Sequence, residues 1–274
     1  MGEVQKKGAR LLKQFEQDVR DYCLKQRILY WDDTVVFINT ARGCFRFYGN
    51  EKFALYKAHL AKNAEGIEED GILANLGLNT YLMHDHVKIN YRKEYLFNNL
   101  ECDQNLERDL QRTANDSGHS WAGELKELIS GMIPKRNELA EKGVKSFSDA
   151  ETNEFEEKLV QLTARGRTEC QADKGRYFYT DEKALLNLIY EYQENYFMWM
   201  SDFSLPVTNS LSERSLRMTK TKLKVSGQFE KEETTKEFAL VRTYLETCRR
   251  NGKNELEAFQ RALCFGKYRQ YDRL

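Results

Sequence analysis

The chain is poor in proline, with only Pro134 and Pro206 in 274 residues, so few helices are expected to be interrupted. It has no apolar run near the ~18 residues that a membrane span needs, and no membrane partner is expected. The N-terminus lacks the apolar stretch of a secretion signal, and Lys6 stands where a myristoylation motif requires Ser or Thr. Six cysteines (Cys23, Cys44, Cys102, Cys170, Cys248 and Cys264) are scattered without a zinc-knuckle spacing, and four histidines do not complete one. These absences indicate a soluble, non-secreted chain with reduced thiols in a cytoplasm. Net charge is absent too: 43 basic and 43 acidic side chains cancel, so the total gives no pointer to a polyanion. Internal repeats and low-complexity linkers are also missing.

What is present is a globular composition, 41% hydrophobic and 31% charged, in a length that suits one large or two ordinary domains. Residues 3–26 carry the periodicity of an amphipathic helix, with Leu11, Phe15, Val19 and Tyr22 near one face. The period then changes. Residues 28–39 are rich in β-branched and aromatic side chains on both parities, the pattern of a strand buried on both faces. That strand holds an adjacent acid pair, Asp32 and Asp33, which is unfavourable unless the carboxylates find partners. Strand-like runs follow at 44–48 and 53–59, then a helix over 65–77, and a short strand over 80–84 that delivers Asp85. The order strand, strand, strand, helix, strand predicts an α/β domain.

Residues 94–200 read as almost wholly helical, with a capping box at Ser148 and Glu151 and another helix start at Thr180. The acid-dense stretch 138–158 within it reads as a solvated helix face. Helices are expected over 209–225, 234–250 and 254–265, the last opened by Asn254. The expected organisation is an N-terminal helix over 1–26, a core from 27–93 and 201–274, and a helical insertion over 94–200.

The helix after residue 209 carries the sharpest signal. At 100° per residue, Glu213, Arg217, Lys220 and Lys224 share one face, a carboxylate heading a stripe of cations. Two readings stay open: Glu213 closes a capping box with Ser210, or it joins Asp32 and Asp85 at a common point. Three converging carboxylates repel strongly unless divalent cations stand between them, and hard oxygen ligands select Mg²⁺ or Mn²⁺. His84 and His86, flanking Asp85, suit structural or DNA-proximal roles better than metal ligation. Trp31, Trp121 and Trp199 read as core residues.

Three segments resemble the transposases of the insertion-sequence 66 family: 83–88 (Met-His-Asp-His-Val-Lys), Trp121-Ala122, and 202–218, which contains Asn209, Glu213, Arg214 and Arg217. The runs 224–229 and 242–252 extend the likeness, which covers residue 25 to the end. Asn105 departs from the family's pattern, standing where a histidine is common. The resemblance implies a ribonuclease-H-like mixed sheet, with a large helical insertion between the second and third acids of a DDE triad and C-terminal helices. It assigns the triad to Asp32, Asp85 and Glu213, as catalytic residues and as ligands of two Mg²⁺ ions for which Mn²⁺ substitutes. It assigns DNA contacts to Arg214, Arg217, Lys220, Lys222 and Lys224, and supporting roles to Asn209, His84 and His86.

The implied activity is Mg²⁺-dependent cleavage and strand transfer of DNA. The alternatives are a truncated, non-catalytic remnant that binds DNA, or a structure-specific nuclease of the same fold. Transposon ends and target DNA are the implied partners, with accessory transposition proteins and a homodimer on DNA, in a bacterial cytoplasm near the nucleoid. Family members usually carry a preceding DNA-binding, cysteine-bearing region, so the resemblance implies a chain that starts at the edge of the catalytic domain.

Overall fold

The computed structural model describes residues 11–265. The chain divides into two compact units, one formed by residues up to Asn99 together with those from Asn209 onward, the other by Leu100–Thr208.

The first unit is mixed α/β. Helix α1 (Lys13–Cys23) precedes strands β1 (Ile28–Ile38), β2 (Ala41–Gly49) and β3 (Ala54–His59), helix α2 (Ala64–Asp70), and strands β4 (Tyr81–His84) and β5 (Asn98–Glu101). The five-stranded sheet has the order β3-β2-β1-β4-β5. β1 pairs antiparallel with β2 and parallel with β4, so the sheet is mixed. Helices α7 (Ser210–Ser226), α8 (Glu232–Arg250) and α9 (Glu255–Phe265) complete the unit.

Apolar side chains of both parities in β1 serve two cores. Leu29 and Trp31 join Phe15 and Val19 of α1 and Tyr244 of α8 on one face. Val36 and Ile38 join Phe45, Phe47 and Leu211 and Leu216 of α7 on the other. Each large side chain so buried contributes roughly 1.5–3 kcal/mol, which is why the strand alternates between two cores instead of facing one. The middle of β1, Asp32 to Val35, is only half-buried, a departure from the expectation of a strand buried throughout.

β1 and β2 are joined by a two-residue turn, Asn39-Thr40, with φ of 46° and 67°. Positive φ at both positions matches the right-handed twist of the flanking strands. The β-branched Thr40 is a poor occupant of that region, and neighbouring groups hold it there. Asn39 N–H donates to the Phe229 carbonyl (2.8 Å), Phe229 N–H to the Phe37 carbonyl (2.8 Å), and Thr40 N–H to Gln228 Oε1 (2.8 Å). On the edge strand β3, the amides of Ala54 and Tyr56 are satisfied by Thr247 Oγ1 (3.1 Å) and Thr243 Oγ1 (2.9 Å) of α8. Two threonines four apart on a helix thus cover a strand edge that otherwise invites pairing with another chain.

The second unit contains α3 (Asp103–Ser117), α4 (Ser120–Glu141), α5 (Asp149–Ala172) and α6 (Tyr179–Phe197). Pro134 lies inside α4, so one of the two prolines does interrupt a helical ladder. Gly166 of α5 meets the Trp121 ring of α4 so closely that a Cβ there would stand 2.6 Å from it. The Ser148–Glu151 capping box is formed in both directions. The two ends of the unit are bridged by Asp103 N–H donating to the Val207 carbonyl (3.1 Å).

Three expectations are corrected. β5 is a strand inside the stretch read as helical. The helix expected over 65–77 is α2 followed by a separate short helical turn at Leu73–Asn75. The N-terminal helix is described as Lys13–Cys23, and residues 3–10 of the expected span lie outside the described residues.

Candidate active site

The position of the acids follows from strand register. Tyr30 of β1 pairs with Met83 of β4 in parallel, so two residues further along, Asp32 in the middle of β1 comes level with Asp85 just past the end of β4. Asp33, the next residue along, borders the same cavity but turns its carboxylate to different partners. Its carboxylate lies 3.7 Å from Arg46 Nε and 2.6 Å from Lys62 Nζ. The adjacent acid pair is thereby split. Asp33 is compensated by two cations, whereas Asp32 is held by the Asp33 backbone N–H (2.7 Å).

Behind Asp33, a buried polar network fixes Arg46. Asp70 accepts from Arg46 Nη1 (3.2 Å) and the Tyr48 hydroxyl (2.9 Å), and His59 Nε2 lies 2.7 Å from the same carboxylate. Nothing in the sequence pattern announced this network beyond a charged residue placed inside an apolar strand.

Asp32, Asp33, Asp85 and Glu213 line one cavity of about 550 Å³, together with Lys62, Arg217 and Lys220. The Asp32 carboxyl is pushed up to about 7, first by burial and then by the Asp85 charge. The Asp33 backbone N–H pulls it down, the Asp33 carboxylate raises it, and Lys220 lowers it. Asp85 is oriented by Asn209, fully buried at the head of α7, whose Nδ2 donates to Asp85 Oδ1 (3.3 Å) and to the Trp31 carbonyl (3.2 Å). One carboxamide thus ties α7 to the interior of β1 and to the residue that follows β4.

Asn209 is the N-cap of α7, and Ser210 is the first helical residue. The Ser210–Glu213 pair therefore sits one position too far into the helix for a capping box, and that reading of Glu213 is set aside.

The other expected site residues divide. Arg217 and Lys220 face the cavity, but Arg214 and Lys224 are exposed and do not line it. Lys222 turns elsewhere: its ammonium lies 4.2 Å from the Phe229 ring centre and 5.6 Å from that of Phe238. His84 lines the cavity with both ring nitrogens engaged, Nδ1 at 2.9 Å from the Asp85 carbonyl and Nε2 at 2.7 Å from Asn99 Oδ1. His86 stands beside the Tyr91 ring, with 5.6 Å between centres. Lys62 and Asp33 were not anticipated as lining residues. The Asp-Asp pair was the one available hint for Asp33, and Lys62, in a loop, left none.

Among the described residues, no group of three or more His, Cys, Asp or Glu side chains is close enough to hold a metal ion. The Asp85 charge acts directly on the Asp32 carboxyl, and Glu213 lines the same cavity. The pair fits a hard divalent cation by donor chemistry and by its uncompensated charge. The expected three-ligand set is not closed in this arrangement of side chains.

A mixed α/β unit with an acid-lined, cation-bordered cavity defines a class of protein equipped to handle a charged substrate. The chain belongs to the Transposase IS66 family, whose description matches residues 1–237. Membership gives it a transposase function, with DNA as the partner and DNA transposition as the general activity. Searches of curated proteins and of solved structures each returned no match. Among the described residues, no helix is long and apolar enough to cross a membrane.

Proposed function

We propose that the chain is the catalytic core of a DDE transposase, with Asp32, Asp85 and Glu213 as the triad acting on a DNA phosphodiester. The observation that carries this reading is that these three acids, from segments far apart in sequence, line one cavity beside Arg217 and Lys220. The mixed sheet, with a helical unit between the second and third acids, supports a ribonuclease-H-like fold.

Asp32 and Asp85 would hold Mg²⁺ or Mn²⁺, with Glu213 moving in to complete the set. When bound, a pair of such ions supplies an activated attacking oxygen and stabilises charge on the departing 3′-oxygen. The chain's own residues do the rest. Asn209 orients the Asp85 carboxylate, and the Asp33 backbone N–H fixes that of Asp32. Arg217 and Lys220 neutralise the phosphodiester beside the acids, a sequence-independent and salt-sensitive contribution. Arg214 and Lys224, exposed on the same helix, extend that contact, whereas Lys222 is occupied by its aromatic neighbours. His84 and His86 support the strand end that carries Asp85. This reading brings with it transposon ends and target DNA as ligands, a dimer on DNA, accessory transposition proteins and a cytoplasmic site near the nucleoid.

The purified chain is tested with Mn²⁺ and nicked or branched DNA, alongside Asp85→Ala. The reading expects cleavage and joining of a supplied 3′-hydroxyl end by the wild type only. Equal inertness of the two with retained DNA binding would falsify it and leave the DNA-binding remnant, which the unclosed ligand set favours. Cutting without joining would indicate a nuclease. Calorimetric Mn²⁺ binding, lost in Asp32→Asn, checks the ligand pair without reference to activity.

A further inference from the structure

Another cavity is lined by a different flank of α7. It measures about 500 Å³ and is bordered by Arg214, Met218, Arg249 and Arg250, with Arg217 shared between it and the carboxylate cavity. At about 100° per residue, the set Leu211, Arg214, Ser215 and Met218 lies roughly 145° around the helix from Glu213, Arg217 and Lys220. The two cavities are therefore separate troughs with one guanidinium on the ridge between them.

The charge of the second trough is fixed by a buried carboxylate. Glu246, 2% exposed, receives Arg242 (3.1 Å), Arg249 (2.5 Å) and Arg250 (3.1 Å), three guanidiniums on one acid. Arg250 is further tied down by the Asn50 and Phe53 carbonyls and by Ser215 Oγ (2.6 Å), so it forms a rigid wall. Arg249 stays 63% exposed, and Arg214 is exposed with a 3.3 Å bond to Ser210 Oγ. Four arginines line the trough against two glutamates, Glu51 and Glu246. The rest of its lining is Ser215 and two apolar side chains, Leu211, which is buried, and Met218, which is 53% exposed.

Guanidiniums around an apolar floor suit a ligand that alternates anionic and apolar parts. A planar fork matches phosphate oxygens, and an exposed thioether packs against a sugar or base. We propose that this trough holds the sugar-phosphate backbone of a DNA strand, at nucleotides flanking the phosphodiester in the carboxylate cavity, with Arg217 as the shared contact. The placement of the reacting phosphodiester rests on the proposed function, but the trough's affinity for a DNA backbone does not.

The test is binding of a fluorescein-labelled 20-base-pair duplex by anisotropy, in EDTA, across a potassium chloride series. The double variant Arg214→Gln/Arg249→Gln is expected to raise Kd about tenfold at ~0.1 M salt and to make the log Kd–log salt slope shallower by about 1–2. Arg261→Gln, on the exposed face of α9, removes one charge outside the trough and is expected to leave the slope unchanged. Because Arg249 also holds Glu246, Arg214→Gln alone carries the test if the double variant does not fold, with a slope loss of about 1 expected. A wild-type slope in these variants overturns the proposal, whatever happens to affinity. Displacement of the duplex by millimolar inorganic phosphate at constant ionic strength also overturns it, marking a free-anion site. Asp85→Asn is expected to lose cleavage and keep the slope, so failure of the catalytic reading is distinguishable from failure of this one.

Discussion

Both units of the chain bury carboxylates, and they treat them in opposite ways. In the helical unit, Asp103 accepts the Trp199 indole N–H (2.7 Å), and Glu182 accepts the Trp121 indole N–H and faces His119 Nδ1, each at 2.7 Å. Burial pushes the Asp103 carboxyl well above its usual range, and the indole bond pulls it back. Those acids sit in a packed interior. In the sheet unit, Asp32 and Asp85 border an open cavity of about 550 Å³, where the Asp85 charge adds to burial in raising the Asp32 carboxyl. A buried acid alone is therefore no sign of chemistry. An acid that faces both a cavity and another acid is a better one, because a proton or a cation entering the cavity relieves it.

Replacing one acid in each unit tests this contrast most severely. Asp85→Asn is expected to lower strand cleavage by ~10³-fold or more, about 4 kcal/mol of transition-state stabilisation, while the melting temperature holds or rises as repulsion with Asp32 is relieved. A clear drop in melting temperature would erase the distinction between the two units. Glu182→Ala should do the reverse. It strands the Trp121 N–H and the His119 ring in the interior and is expected to cost about 3 kcal/mol in urea unfolding.

A milder probe is pH. Burial works against the His119 imidazolium, but Glu182 and Asp173 outweigh it, and the pKa is raised above 6.5. A raised folded-state pKa means that the stabilisation is present in full below the unfolded value and is lost as pH rises through the folded one. Unfolding free energy is thus expected to fall with rising pH in the wild type and to lose that dependence in His119→Gln. The smallest effect is reserved for Ser148→Ala, which removes a capping box and should destabilise the helical unit by about 1 kcal/mol without touching DNA cleavage.

Much of the sheet was legible from side-chain chemistry. Residues 28–39 announce a strand through β-branched and aromatic side chains, and the structure places β1 over Ile28–Ile38. β5 was missed because its four residues are Asn-Asn-Leu-Glu, which carry neither β-propensity nor alternation, and pairing with the rest of the sheet decides their state. The Asn39-Thr40 turn was hidden for a related reason: its backbone is held by Phe229 and Gln228, almost 190 residues later. At the candidate site, Asp32, Asp85 and Glu213 were named from the sequence and line one cavity, whereas Lys62 was not named. A lysine in a loop has no periodicity to betray it. Lys222 shared a helix and a charge with Arg217 and Lys220, yet its side chain left the stripe for two phenylalanines just beyond the helix, Phe229 and Phe238.

The hydrogen bond from Asp103 to Val207 closes the helical unit at its root, bringing its entering and leaving strands of chain side by side. A segment of more than a hundred residues that begins and ends at nearly one point behaves like a module on a socket. It can be lengthened or shortened without rethreading the sheet, because both of its ends leave from one place.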